Sequence, residues 1–153
     1  MSERPHFVAD VMLGKLAKWL RLLGYDTLYF RDSDDRDLAR IARTSKRILL
    51  TRDVELTKRR GVPFYLVRHE HIEEQLREVF KHLHLEITDT FSRCPECNHM
   101  LHVVEKETVR EKIPPYVYQT HTRLSECPNC GRVYCRGSHW AHIIATLENS
   151  RAD

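Results

Sequence analysis

Four of the five cysteines of this 153-residue chain stand in two short pairs, Cys94-Pro95-Glu96-Cys97 and Cys127-Pro128-Asn129-Cys130. A Cys-x2-Cys pair presents two thiolates from one tight turn, and a second pair completes the tetrahedral shell that zinc prefers. Each second cysteine is followed by Asn98 or Gly131. Those two residue types tolerate a left-handed backbone, which turns the next amide back toward the sulfur. Two disulfides are the alternative chemistry. Against them stand the leftover Cys135 and a start, Met1-Ser2-Glu3-Arg4, with no apolar leader. Cysteine pairs of this spacing in a reducing compartment are metal ligands. The expectation is one structural Zn2+ held by Cys94, Cys97, Cys127 and Cys130 in a cytoplasmic protein.

Carboxylates offer a second chemistry. Asp10 follows the apolar run His6-Phe7-Val8-Ala9, and Asp53 follows Arg47-Ile48-Leu49-Leu50. The pair Asp34/Asp35 comes after Thr27-Leu28-Tyr29-Phe30, where a helix marked by Leu38, Ile41 and Ala42 begins. Each acid between a strand and a helix is also an ordinary N-cap, accepting a hydrogen bond from the first turn. Several carboxylates on one edge repel and raise one another's pKa unless a cation neutralises them. Oxygen-only ligands suit Mg2+ or Mn2+, ions that activate water and stabilise phosphoryl oxygens.

The elements that must position these acids follow from periodicity. Leu13, Leu16, Ala17, Leu20 and Leu23 recur at helical spacing up to Gly24. A short helical piece runs from Asp53 to Lys58, and a fourth strand, Phe64-Tyr65-Leu66-Val67, starts after Pro63. Ile72, Leu76, Val79, Phe80 and Leu83 mark another amphipathic helix. Strand and helix alternate, with linkers too long for hairpins. The fold class expected is α/β, a parallel sheet covered by helices on both faces. Right-handed crossovers then bring Asp10, Asp34/Asp35 and Asp53 to the carboxyl edge of that sheet, where such folds bind ligands.

Character changes near Phe91, so residues 1–90 are expected to form the sheet domain and residues 91–153 a small zinc ribbon with a C-terminal helix. A formal charge of +3 is too small to make either part a polyelectrolyte. No apolar stretch reaches the ~20 residues that span a bilayer.

At this point the sequence resembles a family. Asp10-x2-Leu13-Gly14-x-Leu16-Ala17-x-Trp19-Leu20-Arg21-x2-Gly24-Tyr25-Asp26 is similar to the opening signature of the RNase domain found at the C-terminus of the mut-seven exonucleases. Leu49-Leu50-Thr51-Arg52-Asp53 resembles its second signature. The two knuckles, with Gly131-Arg132-Val133-Tyr134 and Gly137-Ser138-His139-Trp140, resemble its zinc-ribbon tail. The resemblance runs from about Phe7 to about Leu147. It implies a PIN-like nuclease fold with a C-terminal four-cysteine zinc ribbon and metal-dependent cleavage of RNA. By position it favours Asp10, Asp35 and Asp53 as the catalytic, Mg2+- or Mn2+-binding core, with Glu55 and Glu70 as loose candidates for a fourth acid. Cys135 stands where the family pattern has an aromatic residue.

The leading expectation is therefore a metal-dependent ribonuclease; the alternatives are a non-catalytic RNA- or ribosome-binding module and a protein-docking module. Lys15, Lys18, Arg52 and Arg136 are the candidates for RNA phosphates. His69, His71, His82 and His84 read as surface residues, Cys135 as a packed side chain, and Trp19 and Trp140 as core. His139, at the start of the last helix, either makes a hydrogen bond that ties the ribbon to the sheet domain or takes part in proton transfer. The apolar face Ile143, Ile144 and Leu147 needs a partner, and the sheet domain is the expected one.

Overall fold

The computed structural model describes residues 4–87 and 91–151. Four parallel strands, β1 (Phe7–Ala9), β2 (Thr27–Tyr29), β3 (Ile48–Thr51) and β4 (Phe64–Leu66), form one sheet in the order β2-β1-β3-β4. Their registers are continuous: Phe7 faces both Thr27 and Ile48, and Leu50 faces Tyr65. The inner strand β1 is buried throughout, while the edge strand β4 is partly exposed. An inner parallel strand is covered on both faces and must be apolar all along. That is why Phe7-Val8-Ala9 shows no alternation.

Two cores lie on opposite faces of the sheet. On one face α1 (Gly14–Leu22) and α4 (Ile72–His82) bury Leu16, Leu20, Leu76 and Val79 against Phe7, Ala9 and Leu50. On the other, α2 (Asp35–Thr44) and α3 (Val54–Thr57) bury Leu38, Ala42 and Leu56 against Val8 and Leu49. The alternation of neighbours between the two cores follows from the two-residue period of a strand. The sheet with helices on both faces is the expected architecture.

The second part is a three-stranded antiparallel sheet, β5 (His102–Glu105), β6 (Arg123–Glu126) and β7 (Val133–Tyr134). Between β5 and β6 the chain makes a 3-10 segment (Lys106–Lys112) and α5 (Pro115–Thr120). The small core there is Val109, Val117 and Leu124, with Cys135 packed at its margin. The closing helix α6 (Ser138–Arg151) lies against α4. Ile143 and Leu147 are each 1% exposed and belong to the core of α1 and α4, so the partner expected for this apolar face is the one it has. Trp140 stacks on Trp19 at 5.8 Å and His139 meets the same indole edge-on at 5.2 Å. His139 thus meets α1 through a ring contact and makes no side-chain hydrogen bond among the described residues.

The first knuckle is clamped to the parallel sheet. Arg21, buried on α1, donates to Pro95 O at 2.6 Å and to Thr27 O at 2.8 Å. The Asn98 side chain accepts from Thr27 N and donates to Asp26 at 2.6 Å. Asp26 also takes both guanidinium nitrogens of Arg47. Burial pushes the Asp26 carboxyl up, but the hydrogen bonds from Arg47 and Asn98 outweigh it and hold the group at about 2.

Candidate active site and candidate metal centre

The strand order reverses between β1 and β3, since β2 lies on one side of β1 and β3 on the other. The crossovers leave to opposite sides there and open a crevice above the strand ends, the usual ligand position of an open parallel sheet. Asp10 sits in it, only 4% exposed. Its Oδ1 accepts from Met12 N at 2.9 Å, and its Oδ2 accepts from the Thr51 hydroxyl at 2.5 Å and from Arg52 N at 3.2 Å. Among the described residues, three donors and no ion pair meet this charge. A carboxylate has about four acceptor positions, so these donors leave about one unfilled.

Thr51 links the two signatures. Its hydroxyl donates to Asp10 and accepts from Asp53 N at 2.9 Å. The Asp53 side chain caps α3 through Glu55 N at 2.9 Å, and Asp34 caps α2 through Asp37 N at 2.8 Å. Capping is therefore real for Asp10, Asp34 and Asp53, and it uses one oxygen in the latter two. Asp35, the first residue of α2, has no side-chain hydrogen bond among the described residues, so its whole carboxylate is free. Gly14 keeps this region closed: a Cβ there would meet the Tyr29 hydroxyl at 3.1 Å, and that hydroxyl donates to Val11 O beside Asp10.

The donor set of Asp10, Asp35 and Asp53 fits a hard cation by chemistry but is not closed by distance. Among the described residues the three carboxylates do not come within 4.8 Å of one another as a group. Of the loose candidates for a fourth acid, Glu55 pairs with Lys58 and Glu70 is exposed. A further acid, Glu78, is not among those expected from the sequence. It is buried behind the end of β4 and accepts from Arg68 N, His69 N, the His69 ring and the Tyr65 hydroxyl. Burial works against its charge, yet those donors hold its carboxyl below the usual range. With every acceptor position engaged, Glu78 anchors the loop after β4. In the helical run Leu76-Arg77-Glu78-Val79 it looks like one more solvated acid; only Tyr65 facing α4 gives it away.

The four cysteines gather at one point, their sulfurs all within 4.8 Å of one another. Cys94 Sγ and Cys130 Sγ are 3.8 Å apart. A Zn–S bond of about 2.3 Å requires a tetrahedral edge of about 3.8 Å, whereas a disulfide requires about 2.05 Å. The set fits zinc. Both knuckles are built alike: Asn98 N donates to Cys94 O and Gly131 N to Cys127 O, each at 2.8 Å. Asn98 and Gly131 have φ of 67° and 78°, the left-handed turn expected of them. The Tyr134 hydroxyl, 3.2 Å from Cys94 Sγ, and the Asn129 amide, donating to Cys97 Sγ, orient the sulfurs. Burial pushes the Cys94 thiol up, and the backbone N–H of Arg132 draws the Cys130 thiol down to about 6.

The profile of the Mut7-C RNAse domain matches residues 5–147, spanning both the carboxylate edge and the knuckles. The chain belongs to the Mut7-C RNAse domain family. No curated protein and no solved structure matches it significantly. The family description points to a nuclease role with RNA as the substrate. No helix among the described residues of this Mut7-C chain is long and apolar enough to cross a membrane.

The basic residues expected at phosphates are placed differently from one another. Lys15 is exposed on α1. Lys18 pairs with Glu96 of the first knuckle at 2.9 Å. Arg52 donates to His69 O at 2.9 Å, joining the Asp10 loop to the loop after β4. Arg136 lies over the Phe91 ring, 5.5 Å from its centroid. His69, His71, His82 and His84 are all exposed, as surface residues should be.

Proposed function

We propose that this Mut7-C protein is a metal-dependent ribonuclease whose reaction centre is the crevice between β1 and β3. The observation that carries the reading is Asp10: a nearly buried carboxylate at the strand-order reversal, hydrogen-bonded through Thr51 to the Asp53 loop, with no ion-pair partner among the described residues. A buried charge left without a counter-charge is costly unless a ligand supplies one. In this reading Asp10, Asp35 and Asp53 hold Mg2+ or Mn2+, which supplies a Lewis acid and an activated water when bound. The chain's own part is to hold three negative oxygens at one edge. Thr51 and Arg52 N fix the Asp10 carboxylate, and Asp35 keeps an uncommitted side chain. The four-cysteine centre is structural, because four thiolates leave no open position, and cysteines without a disulfide suit a cytoplasmic protein.

The test is cleavage of labelled single-stranded and structured RNA with Mn2+ or EDTA. Cleavage should need the metal, and Asp10→Asn should lower it by roughly 100- to 1,000-fold, the size typical of removing one electrostatic element of a catalytic site. EDTA-resistant cleavage, or an Asp10→Asn protein as active as the parent, rules the mechanism out.

A further inference from the structure

A hollow lies away from Asp10, Asp35 and Asp53, along the open edge of the sheet. It has a volume of about 630 Å3 and runs between β4 and α4. Among the described residues β4 pairs with β3 alone, so no strand is hydrogen-bonded to its outer edge. Arg68, Arg77 and Lys81 line the hollow, and none has an ion-pair or hydrogen-bond partner for its side chain among the described residues. The acids there are Glu74 and Glu78, and Glu78 is held in place by its four donors. The groove thus carries three unpaired cations against two acids. His82 adds an exposed ring leaning on Tyr65 at 5.8 Å.

Such a groove fits a phosphate chain carrying planar bases. Unpaired cations track a backbone, and an aromatic ring gives a base a face to stack on without reading its identity. Its position also matters. The groove reaches His69, whose carbonyl accepts from the Arg52 guanidinium, while the Arg52 amide donates to Asp10. One residue therefore joins the end of the groove to the crevice.

We propose that the β4–α4 groove is the track for the single-stranded RNA flank leading away from the scissile phosphate, with Arg68, Arg77 and Lys81 contacting successive phosphates. The proposal rests on the ribonuclease reading for the identity of the strand, and its test is a binding test that does not depend on turnover. An Asp10→Asn protein is titrated with fluorescein-labelled single-stranded RNA of about 4 and about 12 nucleotides, lengths that bracket the usual site sizes. Adding Arg77→Glu and Lys81→Glu, both exposed and remote from the cores, should weaken the longer RNA about tenfold. It should also reduce the salt slope by about 1.4, two phosphate contacts on a single strand. The longer RNA should lose its advantage over the shorter one. Arg59→Glu with Arg60→Glu, an equal charge change at two exposed residues just past the end of α3, should move neither quantity. An unchanged affinity and salt slope for the longer RNA overturns the track, whatever the cleavage assay shows. So does loss of binding to a fluorescent poly-glutamate peptide with RNA binding intact, which would make the groove a site for an acidic protein segment.

Discussion

Thr51 does two things with one hydroxyl: it donates to Asp10 and accepts from Asp53 N. It is fully buried, so neither bond has water as a substitute. Thr51→Val keeps the shape and removes both bonds, leaving Asp10 Oδ2 with Arg52 N alone. We expect a stability loss of about 1–3 kcal/mol, the cost of buried partners left unmade. Cleavage should fall while RNA affinity is kept, since no phosphate contact is removed. Thr51→Ser should restore cleavage. Urea unfolding and single-turnover cleavage of the three proteins check this; a Thr51→Ser protein as impaired as Thr51→Val would mean that the methyl, not the hydroxyl, matters. In the sequence Thr51 is visible only as the middle of Leu49-Leu50-Thr51-Arg52-Asp53. Its role depends on β1 lying beside β3, which no local pattern encodes.

Among the elements, the join between β2 and the first knuckle is the one most exposed to pH. Asp26 takes Arg47 from the start of β3 and Asn98 from the turn after Cys97, and so ties three segments distant in sequence. Its carboxyl lies at about 2 against an ordinary 3.8. A lowered carboxylate pKa contributes stability that is complete above the unfolded value and is lost as pH falls through the folded one. The window is therefore about pH 4 down to about pH 2, and the contribution roughly 2 kcal/mol. Asp26→Asn should destabilise the protein at neutral pH and flatten its stability across that window. Unfolding curves at several pH values check it; an unchanged acid limb in the variant would place the loss of stability on other carboxylates. The elements of the parallel sheet and its helices were legible to within a residue or two, because each run has its own period and stop. In the ribbon, β5, β6, β7, the 3-10 segment and α5 were not placed, since pieces so short carry no clear period. β1, expected to end at Ala9, does so.

At the scale of the molecule, the ribbon and the sheet body differ in what holds them. The body has two extensive cores, and α6 completes one of them with Ile143 and Leu147. The ribbon buries little more than Val109, Val117 and Leu124. With zinc at the four cysteines as proposed, a segment with so small a core would draw its stability from the metal, since the energy of a structural zinc is folding energy. Removing zinc by chelation, or Cys94→Ser with Cys127→Ser, should abolish amide-exchange protection in β5, β6 and β7. Protection in β1, β3 and α4 should persist. Hydrogen exchange resolved by segment decides it; loss of protection in all strands together would show that the two parts unfold as one.

The knuckles, the alternation of strands and helices and the acids at strand ends were all written in the sequence, because each is a local matter of spacing, period or turn conformation. Asn98 and Gly131 take the left-handed turn for reasons that lie within their own residues. What the tertiary structure alone decided is which distant groups meet. It seated α6 on α1 and α4, stacked Trp140 on Trp19, and put Glu78 under the end of β4. It also left Asp10 and Asp53 joined through Thr51 while Asp35 stands uncommitted. Burial and hydrogen-bond geometry between segments set these contacts, and neither quantity exists until the chain has folded.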